Sequence, residues 1–207
     1  MVKLYVEGGG NSKALQIECR RGFREFLEKA GLKDRMPAIS ACGGRRFAYD
    51  DYCTAVASGE TAVLLVDSES PVAAAHQSGD PSSWLPWQHL KARQGDGWHK
   101  PPGVVDSDCH LMAQCMESWF LADRDTLQSF FGQGFRENVL PSAANPIESI
   151  AKTHVLDGLK DATRDCKTKS TYGKGEHSFK VLALIDPAKV SAASPWARRL
   201  VDELKKK

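Results

Sequence analysis

Three carboxylates that follow short apolar runs are candidates for a metal centre. Glu7 follows the run LYV near the start of the chain, and Asp67 and Glu69 follow the run AVLLV. Two acids separated by one residue point to the same side of an extended chain. Hard divalent cations prefer carboxylate oxygens, and such a cation relieves the repulsion among close acids. If the two runs are neighbouring strands, the three side chains converge on a site for Mg²⁺ or Mn²⁺.

Each acid also has a purely structural interpretation. Glu7 can be a solvated carboxylate at the end of a strand. The segment DSES can be a polar loop in which Ser68 caps a helix. The combination of all three acids favours the metal site over these alternatives.

The glycines after Glu7 form a loop that a phosphate can approach closely. The segment GGGNSKA does not match the phosphate-binding pattern GxxxxGK[ST], because Ser12 precedes Lys13 and Ala14 follows it. It does not match GxGxxG either, because Lys13 occupies the position of the last glycine. Backbone N–H groups near a helix start are still a general anion site, so we expect Gly8 and Gly9 to contact phosphate.

The order of the elements around these acids predicts an α/β fold. The segments KLYV, PAISAC and TAVLLVDSES are typical strands, and the last is apolar enough to be buried on both faces. Helical patterns capped by Asn11 or Ser12 and starting near GGRR separate them. Alternation of strand and helix predicts a central, mostly parallel sheet flanked by helices, at whose carboxyl edge ligands bind.

The rest of the chain divides into an insertion and a helical end. Residues 70–105 are rich in Pro, Gly and Ser and predict a segment with little regular structure, in which Trp84, Trp87 and Trp98 are buried anchors rather than surfaces that stack on bases. The segment DCHLMAQCMESWFLAD fits a helix, or a strand followed by a helix from about Glu117. Residues 146–207 predict helices, the first starting at Pro146.

The composition limits the possible functions. The chain has 207 residues, which suggests one domain over residues 1–207, and its net charge of +2 gives no overall attraction to nucleic acid or membrane. No apolar stretch is long enough for a membrane span, and no secretion signal is recognisable. The six cysteines show no CxxC pair, so we expect reduced thiols in a cytoplasmic protein.

Several segments together resemble the domain-of-unknown-function family numbered 4276 (DUF4276), over nearly the whole chain. They are LYVEGGG, ACGGRRFAYDDY, LLVDSE, HLMAQCMESWFLAD, YGKG and ALIDPAKV. The order of a strand ending in EG and a later strand ending in DxE also resembles the Toprim domains of topoisomerases, primases and OLD-type nucleases, and the RloB-like group. The resemblance implies a Toprim-like, Rossmann-like fold and a place in bacterial anti-phage defence, often beside an ATPase.

The resemblance implies roles for four acids. Glu7 matches the Toprim glutamate, a metal ligand or general acid/base, and Asp67 matches the first acid of the DxD motif. Glu69 stands where many Toprim domains have aspartate. Glu117 resembles the acid of the FExWLL element in RloB-like proteins and implies a further metal ligand, although an acid in the first turn of a helix is an alternative.

Four basic residues are candidates for binding the phosphate. Arg45 and Arg46 follow CGG at a predicted helix start, and arginine binds phosphate through two parallel hydrogen bonds. Lys152 and Lys174 lie in later segments that resemble the family. An exposed surface charge is the alternative for each of them.

Departures from the Toprim pattern restrict the chemistry. Pro71 follows Ser70 where topoisomerases have a third acid, and no tyrosine-bearing partner domain is present, which argues against strand passage and primase activity. A metal-dependent nuclease that cleaves phosphodiesters of DNA or RNA fits better. The alternative is a non-catalytic or conditionally active partner of an ATPase. A homo-oligomer is left open.

Overall fold

The computed structural model describes all 207 residues, and its centre is a sheet of four parallel strands in the order β2-β1-β3-β4. The predicted α/β fold with a parallel sheet is therefore confirmed, and its architecture is Rossmann-like. The sheet places β1 directly beside β3, as convergence of their acids requires. The strands are β1 (Lys3–Val6), β2 (Ala38–Ala41), β3 (Ala62–Asp67) and β4 (Cys109–Met112).

Alternating side chains of the strands enter two separate apolar cores, one on each face of the sheet. Leu4 and Leu65 belong to the larger core, whereas Tyr5 and Leu64 belong to the smaller one. Every residue of β3 is buried, because helices cover both faces of this central strand. The apolar run that precedes Asp67 is thus explained by burial on both sides.

Eight α-helices surround the sheet. The first is capped by Ser12, one of the two predicted caps, whose hydroxyl accepts a hydrogen bond from the N–H of Leu15 at 3.2 Å. None of the helices combines the length and the apolar character needed to cross a membrane. The helices are α1 (Lys13–Leu27), α2 (Arg45–Ala57), α3 (Pro86–Ala92), α4 (Arg124–Phe131), α5 (Lys152–Thr163), α6 (Lys174–Leu184), α7 (Pro187–Ala193) and α8 (Pro195–Lys206).

The insertion at residues 70–105 is more ordered than its composition predicts, because it contains α3 and two short 3₁₀ turns. Its three tryptophans are at most 7% exposed, so their interpretation as anchors is confirmed. Trp84 packs on Trp196 of α8, and Trp98 stacks on Tyr49 of α2, both with ring centroids 4.6 Å apart. The insertion therefore lies firmly against the smaller core.

The two ambiguous segments of the second half are also resolved. The strand alternative is confirmed for residues 109–112, and a 3₁₀ helix follows at Met116–Ala122. The predicted helix start at Pro146 is wrong, because only a 3₁₀ turn forms there and α5 begins at Lys152. The carboxylate of Glu148 in this turn accepts the N–H of Trp196 at 3.0 Å, so it serves the start of α8 instead of a longer α5. All six cysteines are unpaired.

Close contact of α1 with α6 predicts that Gly22→Ala destabilises the fold. A Cβ atom at Gly22 would lie 2.6 Å from the carbonyl oxygen of Phe179, so the two helix backbones would have to separate. We expect the free energy of unfolding to fall by about 1–3 kcal/mol in urea titrations.

Gly175→Ala is the matched control. A Cβ atom at Gly175 in α6 would come no closer than 3.6 Å to Leu15. Its effect should stay within about 1 kcal/mol, and alanine in a helix tends to stabilise. Equal losses for the two variants would contradict the packing argument.

Candidate metal centre

The carboxyl edges of β1 and β3 bring three acids together. Glu7, Asp67 and Glu69 each offer an oxygen, and these atoms lie within 4.8 Å of one another. Glu7 follows β1 directly, and its Oε2 accepts the backbone N–H of Asp67 at 3.1 Å. Convergence of Glu7 and Asp67 is therefore a consequence of the β1–β3 pairing.

Glu69 reaches this cluster through an unusual backbone conformation. Its φ of 64° makes it the only residue other than glycine with a positive φ, a region that is sparsely populated for a residue with a long side chain. Its N–H donates to the carbonyl of Gln114 at 2.8 Å, which fixes the turn after β3. Strain of this kind is concentrated at functional sites.

Asp67 is the most buried member of the cluster, with 2% of its surface exposed. Its Oδ1 accepts the N–H of Met116 at 2.9 Å, and its Oδ2 lies 3.1 Å from Nζ of Lys152 and 3.7 Å from Nζ of Lys174. Burial raises the pKa of Asp67, and the two lysines oppose that rise. The two ammonium groups thus favour the ionised carboxylate.

Lys152 binds the cluster more tightly than Lys174. Nζ of Lys152 donates to Oε1 of Glu69 at 2.6 Å as well as to Asp67. Burial lowers the pKa of this ammonium, but attraction to Asp67 and Glu69 outweighs burial and leaves the pKa raised. Lys174 pairs with Asp67 without a hydrogen bond, and its side chain is 53% exposed. Both lysines predicted to bind phosphate therefore lie at the acids.

Arg45 holds Glu7 and does not point freely into the cavity. Its Nη1 donates to Oε2 of Glu7 at 3.1 Å and to the carbonyl of Asp67. Its Nε and Nη2 donate to the two oxygens of Asp96 at 2.9 and 2.5 Å, and its guanidinium lies over Trp98. These bonds use most of its donors, so the structure gives Arg45 a positioning role where the sequence predicts phosphate binding.

Arg46 lies outside the site altogether. Its side chain is 66% exposed and pairs with Asp50 one turn further along α2 at 3.0 Å. The prediction that it contacts the same phosphate as Arg45 is not supported by this geometry. Neighbouring residues at a helix start point in different directions, so only one of the two arginines reaches the sheet edge.

The pKa of Glu7 is unusual for a carboxyl group. Burial, followed by repulsion from Asp67, raises it from 4.5 to about 7, although Arg45 acts in the opposite direction. Its Oε1 makes no hydrogen bond within the protein and its side chain lines the cavity. Glu7 can therefore exchange a proton or accept a cation close to neutral pH.

Glu117 is fully buried and lies beside the cluster rather than within it. Its Oε1 accepts the hydroxyls of Tyr172 at 3.2 Å and Ser178 at 3.3 Å. Its Oε2 accepts no hydrogen bond and lies 3.6 Å from Nζ of Lys174. The alternative interpretation of Glu117, an acid that only favours the start of a helix, therefore does not account for its burial and its hydrogen bonds.

The glycine loop forms one wall of a cavity of about 270 Å³ in front of the acids. The N–H of Gly8 donates to the carbonyl of Gly43 at 2.9 Å, so it is not available to a phosphate as predicted. The N–H of Gly9 makes no hydrogen bond within the protein and keeps that possibility. A Cβ atom at Gly43 would lie 2.5 Å from the carbonyl oxygen of Gly10, so the loop needs glycine there.

Sequence reasoning missed three residues of this site. Asp96 anchors Arg45 from within the insertion, but its segment QGDGW is indistinguishable from an ordinary turn. Tyr172 and Ser178 support Glu117. Tyr172 immediately precedes the GKG of the segment YGKG, so the same resemblance that drew attention to Lys174 contained a signal for it.

An open α/β sheet with acids at the carboxyl ends of adjacent strands defines a Rossmann-like protein, and this edge is where such sheets generally bind ligands. Residues 6–205 match the family described as a domain of unknown function, DUF4276. The chain belongs to this family. Searches among curated proteins and among solved structures gave no significant match.

The donor set suits a hard divalent cation. All three clustered ligands are carboxylate oxygens, which Mg²⁺ and Mn²⁺ prefer. The cavity in front of the cluster leaves room for further ligands such as water or phosphate. The residues present therefore fit such an ion.

The raised pKa of Glu7 predicts a pH-dependent effect of Glu7→Gln on stability when a chelator removes free cations. Between pH 4.5 and about 7 the unfolded chain releases a proton that the folded protein retains, so stability falls as pH rises through this window. The variant lacks this loss. We expect the stability of the variant, relative to the original protein, to be about 2 kcal/mol greater at pH 8 than at pH 5.

Urea titrations at both pH values measure this difference. Glu28→Gln removes an exposed acid from the end of α1 and is the control, for which we expect no pH-dependent gain. A Glu7→Gln variant that is equally affected at pH 5 and pH 8 would show that the pKa of Glu7 is not raised in the folded protein.

Proposed function

We propose that this protein is a Mg²⁺- or Mn²⁺-dependent phosphodiesterase that cleaves nucleic acid. The observation that carries the proposal is the cluster of Glu7, Asp67 and Glu69, whose ligand atoms lie within 4.8 Å beside a cavity. Three acids at the carboxyl edge of adjacent parallel strands suit a divalent ion better than any other ligand. The resemblance to Toprim domains supports the same reaction.

Each residue of the site then has a defined task. Glu7, Asp67 and Glu69 would hold the ion, which when bound would supply positive charge to a phosphate oxygen and acidify a water molecule. Arg45 fixes the orientation of Glu7 through its anchorage to Asp96. Oε1 of Glu7 makes no hydrogen bond within the protein, so it is the oxygen that would bind the ion.

The cationic side of the cavity orients the substrate. Lys174 lines the cavity and is half exposed, so its ammonium can meet a phosphate oxygen without leaving the acids. Gly9, whose N–H makes no hydrogen bond within the protein, also lines the cavity. A positioned phosphate needs less reorganisation before cleavage.

The wider role follows from the resemblance to Toprim nucleases and RloB-like proteins. We place the reaction in bacterial anti-phage defence, in the cytoplasm, with DNA or RNA as the substrate. The six unpaired thiols are compatible with that reducing compartment. The overall charge of +2 offers little general attraction to nucleic acid, so recognition depends on local groups near the cavity.

Asp67→Asn tests the proposed activity. Asparagine preserves the shape and can still accept the N–H of Met116, but it removes the central negative ligand. We expect Mn²⁺-dependent cleavage of single- and double-stranded DNA and RNA to fall roughly 100-fold or more.

Asp50→Asn in the exposed part of α2 is the control and should leave cleavage unchanged. Unchanged cleavage by Asp67→Asn, at equal stability of the two variants, would refute the metal-dependent mechanism at this site.

One observation favours a second candidate function. Arg45, Lys152 and Lys174 already compensate most of the acidic charge, so the cluster is close to neutral without any ion. A site of this kind suits a conditionally active or non-catalytic partner subunit of an ATPase. Absence of Mn²⁺ binding by the isolated protein, together with stable co-purification with such an ATPase, would favour this candidate over the first.

A further inference from the structure

Lys174 occupies the space between two acids that belong to different elements. Its Nζ lies 3.7 Å from Oδ2 of Asp67 at the end of β3 and 3.6 Å from Oε2 of Glu117 in the 3₁₀ helix. Both distances are within the range of an ion pair. The lysine extends from the first residue of α6, so the helix start presents its positive charge to both carboxylates.

Glu117 depends on this lysine for its charge balance. The side chain is fully buried, and Lys174 is the only cation within 4.0 Å of it. Its Oε2 has no hydrogen-bond donor, whereas Oε1 is occupied by Tyr172 and Ser178. A buried carboxylate without compensation is strongly unfavourable, so the position between Asp67 and Glu117 requires a positive charge.

The net charge of the site favours the binding of one divalent ion over two. Four carboxylates face three cationic side chains, which leaves one net negative charge. One divalent ion changes this to one net positive charge, which a single phosphodiester group neutralises. A second ion would leave three net positive charges, a poor match for one phosphate. The acids are Glu7, Asp67, Glu69 and Glu117, and the bases are Arg45, Lys152 and Lys174. Asp96, which also binds Arg45, does not change this balance because it pairs with Arg93.

We propose that Lys174 is the resident cation between Asp67 and Glu117, so that the centre binds a single divalent ion at Glu7, Asp67 and Glu69. This inference rests on the proposed function. It makes Glu117 a positioning residue for Lys174 rather than a metal ligand, which differs from the role implied by the sequence resemblance. Lys174 thereby takes the place that the second ion has in a two-metal nuclease. It pairs with Asp67 and Glu117 and also lines the cavity.

The number of bound Mn²⁺ ions tests this inference directly. Titration of the purified chain, with free Mn²⁺ followed by its paramagnetic resonance signal, gives the stoichiometry without an activity assay. We expect one ion for the original protein and two for Lys174→Ala, because the variant exposes a vacant pair of carboxylates. Lys180→Ala, in an exposed part of the same helix with no ion pair to the acids, is the matched control and should bind one ion.

A second variant keeps the inference testable if Lys174→Ala does not fold. Glu117→Gln retains an oxygen for the hydroxyls of Tyr172 and Ser178 but removes the charge. We expect it to bind one Mn²⁺ with affinity within about threefold of the original protein. A tenfold or greater loss of affinity would make Glu117 a metal ligand and overturn the inference.

The outcomes separate this inference from the proposed function. One ion in both the original protein and Lys174→Ala would refute the role of Lys174 while leaving the metal site intact. Two ions in the original protein would show that a second ion displaces Lys174. This result would also refute the role of Lys174 while leaving the metal site intact. No binding to the original protein would refute the metal centre itself, and with it the proposed function.

Discussion

The burial of one charged side chain, Asp67, constrains the arrangement of the whole site. Its carboxylate needs hydrogen bonds and positive charge, since almost none of it contacts water. These come from the segment after β4 and from the first residues of α5 and α6, through Met116, Lys152 and Lys174. Its carbonyl accepts from Arg45 at the start of α2. Four separate parts of the chain are thus positioned around the end of one strand.

The fold and the convergence of the acids could be predicted because they depend on short-range patterns. A run of apolar residues identifies β3 and places Asp67 at its carboxyl end. The two-residue period of an extended chain predicted that Glu69 would lie beside Asp67, but Glu69 is outside the strand and reaches the cluster through its positive φ. Parallel pairing of β1 with β3 then brings Glu7 beside them. The left-handed conformation of Glu69 was not predictable, because nothing in its neighbours signals a positive φ.

The partners of the acids could not be predicted, because they are distant in the sequence. Arg45 and Asp96 are 51 residues apart, and Tyr172 reaches Glu117 across 55 residues. Sequence patterns indicate that a basic residue lies near a strand end. They do not indicate whether a buried acid, such as Asp96, already binds that residue. This is why Arg45 differs from its predicted role and why Arg46, its neighbour, was not distinguished from it. The late start of α5 has a similar origin, because Glu148 caps a helix far along the chain.

The anchorage of Arg45 in the insertion has a consequence for how the family can vary. Loops that merely cover a surface change length freely during evolution, but this one supplies the acid that holds Arg45 and, through it, Glu7. A relative that lost residues near position 96 would be left with a buried guanidinium whose charge is half compensated. Aspartate at this position and arginine at position 45 should therefore be conserved or replaced as a pair. The insertion is then constrained as part of the site and does not vary as a surface loop would.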